Sequence, residues 1–115
     1  MKYQGGCHCG NVRYEVEAQI EAGLTCNCSI CSKKGHILTF TPETNFKLLK
    51  GDDSLSDYQF NKKTIHHFFC KNCGVSSFGK GSMPDGTKMV SINLRCLDSF
   101  DFKNIPITEY DGKNH

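Results

Sequence analysis

The sequence predicts a mainly β fold, and three observations carry that prediction. First, apolar residues alternate with polar ones at a period of two, as where Val12, Tyr14 and Val16 interleave with Arg13, Glu15 and Glu17. That spacing puts one face of a strand in a core and the other in water. Second, glycine, proline, asparagine and aspartate recur between short apolar runs and mark tight turns. Third, no helical period is sustained for ten residues anywhere.

The elements follow in order. Gly10 and Asn11 turn the chain into the strand holding Val12 to Val16. Residues 29–34 have room for one helical turn. Residues 36–40 read as a second strand, which Pro42 ends, with a turn at Glu43 and Thr44. Residues 46–49 form a third short strand, closed by Gly51, Asp52 and Asp53. Residues 55–60 are read as a strand, and Asn61, Lys62 and Lys63 as a turn. Residues 64–69 are aromatic and β-branched on both faces, so this strand is expected to be packed on both sides. Residues 77–81 form a short strand, and Met83-Pro84-Asp85-Gly86 is a turn. Residues 88–94 are a further strand with Met89, Ser91 and Asn93 opposite Val90, Ile92 and Leu94. The tail carries Phe100, Phe102, Ile105, Ile107 and Tyr110, enough apolar surface to cover a sheet edge before the last residues fray.

A chain of 115 residues suits one domain, spanning residues 1–115. Hydrophobic residues make up 37% and charged residues 23%, too apolar for a disordered tail and too polar for a membrane protein. No apolar run approaches the roughly 20 residues of a spanning helix. The opening MKYQGGCHCGN lacks an apolar segment after its lysine, so no secretory signal is read there and a cytoplasmic location is expected. The net charge is +2, and the basic residues Lys33, Lys34, Lys62, Lys63, Lys71, Lys80, Lys88 and Arg95 are scattered. Phosphate binding needs a clustered basic patch, so nucleic acid is not an expected partner.

Eight cysteines are the strongest signal. Seven fall in tight groups: Cys7 and Cys9, then Cys26, Cys28 and Cys31, then Cys70 and Cys73. Partners so close in sequence close almost no loop as disulfides, but they chelate one metal ion well. Cys70-Lys71-Asn72-Cys73-Gly74 has the shape of a zinc knuckle. A knuckle supplies two ligands, and the reading preferred over two disulfides, free thiols or a redox pair at Cys70 and Cys73 is that Cys7 and Cys9 complete an all-thiolate tetrahedral site closing a loop of about 60 residues. Cys26, Cys28 and Cys31 offer three thiolates within one segment. Two readings stay open for them. Cys96 or another residue closes the fourth position and the site is structural, or that position is exchangeable and a substrate thiol can bind there.

Cys96 follows an apolar strand, where a small buried hydrophobe, a metal ligand and a reactive thiol are the alternatives. His66 and His67 point to opposite faces of their strand and cannot share a site. His8 lies between two ligands with its ring directed away, and His36 lies near the three-cysteine loop. Phe40, Phe68, Phe69 and Phe78 are read as core.

These motifs resemble those of the glutathione-dependent formaldehyde-activating enzyme family, which includes centromere protein V. The resemblance is carried by Gly6-Cys7-His8-Cys9-Gly10-Asn11-Val12-Arg13-Tyr14, by the Cys26 to Cys31 run, by Phe69-Cys70-Lys71-Asn72-Cys73-Gly74, and by Val90-Ser91-Ile92-Asn93-Leu94-Arg95-Cys96-Leu97-Asp98. It implies an Mss4-like, zinc-ribbon-related β fold. It implies two zinc ions per chain: a structural one on Cys7, Cys9, Cys70 and Cys73, and a catalytic-type one on Cys26, Cys28 and Cys31. It implies a carbon–sulfur lyase that joins glutathione, or another small thiol, to formaldehyde. The alternative is a non-enzymatic zinc-binding or interaction module. His36, His67 and a zinc-bound water are the candidate proton-handling groups.

Overall fold

The computed structural model describes residues 1–59 and 65–111. Along the chain lie β1 (Lys2–Gly6), β2 (Arg13–Glu17), β3 (Gly23–Cys26), α1 (Cys31–Lys34), β4 (Leu38–Pro42), β5 (Phe46–Lys50), β6 (Leu55–Tyr58), β7 (His66–Cys70), β8 (Phe78–Ser82), β9 (Lys88–Asn93) and β10 (Ile107–Tyr110). The strands form a three-stranded sheet in the order β1-β2-β5 and a seven-stranded sheet in the order β10-β3-β4-β9-β8-β7-β6. Neighbours run antiparallel except β10 and β3, which are parallel.

The two sheets meet on a shared core. Val12, Tyr14 and Val16 from the small sheet side are almost fully buried, as are Val90, Ile92 and Leu94 from the large one. The Tyr14 ring packs at 5.2 Å from Phe46 and at 5.7 Å, edge-on, from Phe78. Phe78 in turn meets Phe46 and Phe68. The Tyr14 hydroxyl donates to the Ser77 carbonyl, which satisfies a polar atom at the centre of this core.

The period of two divides the large sheet into an inner and an outer face. On β9, Val90 and Ile92 point inward, while Met89, Ser91 and Asn93 line the outer face. Register carries that outer row across neighbouring strands: Phe40 pairs with Ser91, Ser91 with Gly79, and Gly79 with His67.

Most expected strands are present with shifted ends. The second expected strand starts two residues later, at Leu38. The strand beginning at Leu55 ends at Tyr58. The expected turn at Asn61, Lys62 and Lys63, the start of the next strand at Thr64, and the frayed residues 112–115 lie outside the described residues. β1 and β3 were not expected, because Lys2–Gly6 ends in two glycines and Gly23–Cys26 is only four residues long. Both have tertiary causes. Gly6 sits where an added Cβ would collide with the Val12 carbonyl, and at Gly23 it would lie 2.8 Å from both Ile107 and Ile37. Those close approaches reward glycine despite its poor strand preference.

The reading of four phenylalanines as core needs correction. Phe78 is core and Phe68 packs against it, but Phe40 is 51% exposed. Phe40 shares the outer face with Ser91, and Phe69 lines a cavity on that side. An aromatic run cannot disclose which parity faces inward when both faces are apolar.

Candidate metal centres and the cleft beside them

The first centre forms where two turns meet. Cys7 and Cys9 lie in the connection from β1 to β2, and Gly10 turns the chain with a φ of 84°. Cys70 ends β7, Cys73 follows in a tight turn, and Gly74 leaves it with a φ of 80°. A left-handed residue is needed at both places, which is why glycine stands there. The Gly74 amide donates to the Cys70 carbonyl and closes the knuckle.

The four sulfurs of Cys7, Cys9, Cys70 and Cys73 all lie within 4.8 Å of one another. Cys9 Sγ is 3.6 Å from Cys7 Sγ and 3.6 Å from Cys70 Sγ. A tetrahedron built on metal–sulfur bonds of about 2.3 Å has edges of about 3.8 Å, so this spacing fits one ion. Backbone amides support the thiolate form. Burial pushes the Cys7 thiol up, and the Val12 amide, donating to Cys7 Sγ at 3.3 Å, offsets part of that. The amides of Val75 and then Cys9 pull the Cys73 thiol down to about 6.

The second centre is the Cys26, Cys28 and Cys31 group, whose three sulfurs also lie within 4.8 Å of one another. Cys26 ends β3 and Cys31 opens α1. The Cys31 amide donates to Cys28 Sγ at 3.4 Å. Burial opposes ionisation of Cys28, but that amide, with the neighbouring Cys31 and Cys26 thiols, lowers it below its ordinary value. Cys31 is pushed up, first by burial and then by the adjacent Cys28. Three soft sulfurs crowded in this way resist full ionisation without a cation between them, and they suit a thiophilic ion.

Among the described residues, no fourth cysteine, histidine or carboxylate joins this group. Cys96 in particular stands outside both groups. Its thiol lies 4.0 Å from the Ser76 carbonyl, and burial pushes it up to about 11, with smaller contributions from Cys7 and Cys73. β10 braces the loop in a way the sequence did not reveal. The Asn27 amide donates to the Tyr110 carbonyl at 3.2 Å, and the Asn27 side chain donates to Asp111 at 2.9 Å.

A cleft lies between the two cysteine groups, with Lys34, three residues after Cys31, on one wall and Gly74 and Val75, which follow Cys73, on the other. Burial lowers the Lys34 pKa, and the charge of a Cys31 thiolate opposes that. Lys34, His36, Ser76 and Asn93 line one cavity with Phe69, and the same four line a second, smaller one with His67. Lys34 Nζ donates to Ser76 Oγ, which donates to the Phe68 carbonyl at 2.6 Å. His36 Nε2 is buried without a hydrogen-bond partner. Burial, then Lys34 and His67, lower His36 to about 4. His67 is lowered by burial and by Lys34, against a raising contribution from Asp57. His66 faces the other way and pairs with Asp57 at 2.6 Å, and His8 is exposed. The expected division of the histidines therefore holds, with His36 and His67 at the cleft.

This fold defines a small β protein with two cysteine groups, each placed so that it could hold a metal ion. Residues 2–110 match the family described as glutathione-dependent formaldehyde-activating enzyme, and the chain belongs to that family. Its fold is accordingly the Mss4-like one. A crystal structure of a Rhodobacter sphaeroides protein superposes with a TM-score of 0.79 at 27% sequence identity, covering 91% of this chain and 99% of that one. No helix among the described residues is long and apolar enough to cross a membrane.

Proposed function

We propose that this protein is a carbon–sulfur lyase-type enzyme acting on a thiol–aldehyde adduct, with zinc at both centres. The reading rests on one observation: Cys26, Cys28 and Cys31 converge without a fourth ligand among the described residues, beside a cleft holding an unpartnered imidazole nitrogen. The centre of Cys7, Cys9, Cys70 and Cys73 is the structural one, since its four sulfurs complete a tetrahedral set. Zinc on the three-thiolate group would supply a Lewis acid that accepts a substrate sulfur and lowers its pKa.

The remaining work falls to the chain. In the synthetic direction a carbon–sulfur bond forms, the thiol gives up its proton, and the aldehyde oxygen gains one. His36 is neutral above about pH 4, and its Nε2 has free hydrogen-bonding capacity for the adduct's hydroxyl. Lys34, held against Ser76, places a positive charge at the cleft wall where negative charge develops on that oxygen. Seven of the eight cysteines are grouped to hold metal rather than paired as disulfides, which suits a reducing compartment, so we assign the protein to the cytoplasm.

Cobalt substitution tests the reading. The absorption bands of the second centre should shift when a small thiol is added, and Cys28→Ser should abolish the shift. A spectrum indifferent to every thiol would mean that a protein ligand closes the fourth position, as in a non-enzymatic module.

A further inference from the structure

The outer face of the large sheet carries a third cavity, of about 420 Å³. Phe40, Ile65, Met83 and Met89 form its walls, and Gly81 and Ser91 lie between them. Phe40, Ile65 and Met83 are 51%, 52% and 48% exposed. Four large apolar side chains around one concave surface are costly to leave in water, and this arrangement is typical of a ligand site.

This cavity adjoins the small cavity lined by Lys34, His36 and His67, across Ser91. Gly79, the partner of Ser91 on β8, lines the small cavity too. Gly79 leaves little room, since an added Cβ would lie 2.9 Å from Ser91 Oγ and 2.9 Å from the His66 carbonyl. The outer face thus carries a polar cavity at Lys34 and His36 and, next to it, an apolar one at Phe40. His36 precedes Phe40 by four residues, so these two residues lie no more than about 14 Å apart. A formaldehyde adduct of a small polar thiol would leave the apolar cavity uncovered.

We infer that the apolar cavity binds the hydrocarbon portion of the substrate, so that this protein acts on adducts of thiols or aldehydes bearing an alkyl or aromatic group. This deepens the function proposed above and rests on it for the identity of the reacting sulfur. Gly81 supplies a specific handle. A Cβ added there meets only Ile65, at an ordinary 3.6 Å, so Gly81→Leu fills the cavity while the strand is kept.

The test is calorimetric titration of the metal-loaded full-length protein with butanethiol, hexanethiol and octanethiol, and with the matching alcohols. Affinity should rise in both series, roughly three- to four-fold per methylene as each enters the cavity. Gly81→Leu and Phe40→Ser should each flatten that rise. Affinity independent of chain length in both series would overturn the inference. A concentration-dependent dimer, dissolved by Phe40→Ser and insensitive to alkyl ligands, would also overturn it by giving this face to a second copy. The preference for thiol over alcohol at fixed length reports the metal centre separately and should vanish in Cys28→Ser. If that preference is absent in the wild type while the chain-length rise persists, the lyase reading fails and the apolar site stands.

Discussion

Lys34 Nζ and Ser76 Oγ are joined by a hydrogen bond of 2.9 Å across 42 residues of sequence. It ties the helix that begins at Cys31 to the segment that follows the Cys70–Cys73 knuckle. The segments carrying the two cysteine groups are therefore linked by a direct contact at the cleft wall. Ser76→Ala and Lys34→Met should each destabilise the fold by about 1 kcal/mol. A double-mutant cycle in urea should return a coupling energy of at least about 0.5 kcal/mol. Strict additivity would show that the contact does not link the two segments.

The two centres should respond differently to loss of one sulfur. Cys70 is buried among core residues, and the loop closed with Cys9 spans 61 residues. Cys73→Ser should therefore abolish cooperative unfolding, because metal binding there is folding free energy. Cys28→Ser should remove one metal equivalent and leave a cooperative transition. Metal analysis beside thermal melts checks this, and equal loss of folding in both variants would show that both metals are structural.

Much of this was legible in the sequence for a physical reason. Cysteine spacing encodes chelation directly, so both sulfur groups could be read before any geometry. Strand existence followed from alternation at Val12 to Val16 and at Val90 to Leu94. The cleft was not legible. Lys34, Ser76 and Asn93 come from separate elements, and only sheet register brings them together. Phe40 was misplaced because its neighbours Leu38 and Thr41 are buried, so the local pattern has no clear parity. The brace from Tyr110 and Asp111 depends on a parallel pairing between strands about 80 residues apart in sequence, which no local motif announces.

Acid should destabilise the fold through His36. Its folded value, about 4, lies below the ordinary 6.5, so the unfolded chain binds more protons between those values. The neutral ring's contribution is complete above about pH 6.5 and is lost as pH falls toward 4. Denaturant melts across that window should show the wild type losing stability relative to His36→Gln as pH falls from about 6.5 toward 4. Parallel pH profiles would show that burial at His36 has no energetic consequence.

Cys96 should prove dispensable for metal binding. Its thiol faces the Ser76 carbonyl and joins neither sulfur group. Cys96→Ala should keep full metal content and lose about 1 kcal/mol of stability, the cost of trimming a partly buried small side chain. Loss of one metal equivalent would make Cys96 a ligand and close the second centre.

The most direct test is the rate at which thiols exchange with formaldehyde and with longer aldehydes, followed by exchange-sensitive NMR. The metal-loaded protein should exceed both the uncatalysed background and an equal amount of free zinc for at least one thiol. Cys28→Ser, still folded, should fall to background. If the intact protein, with both centres filled, is no faster than background for every thiol–aldehyde pair, it is not an enzyme of this class.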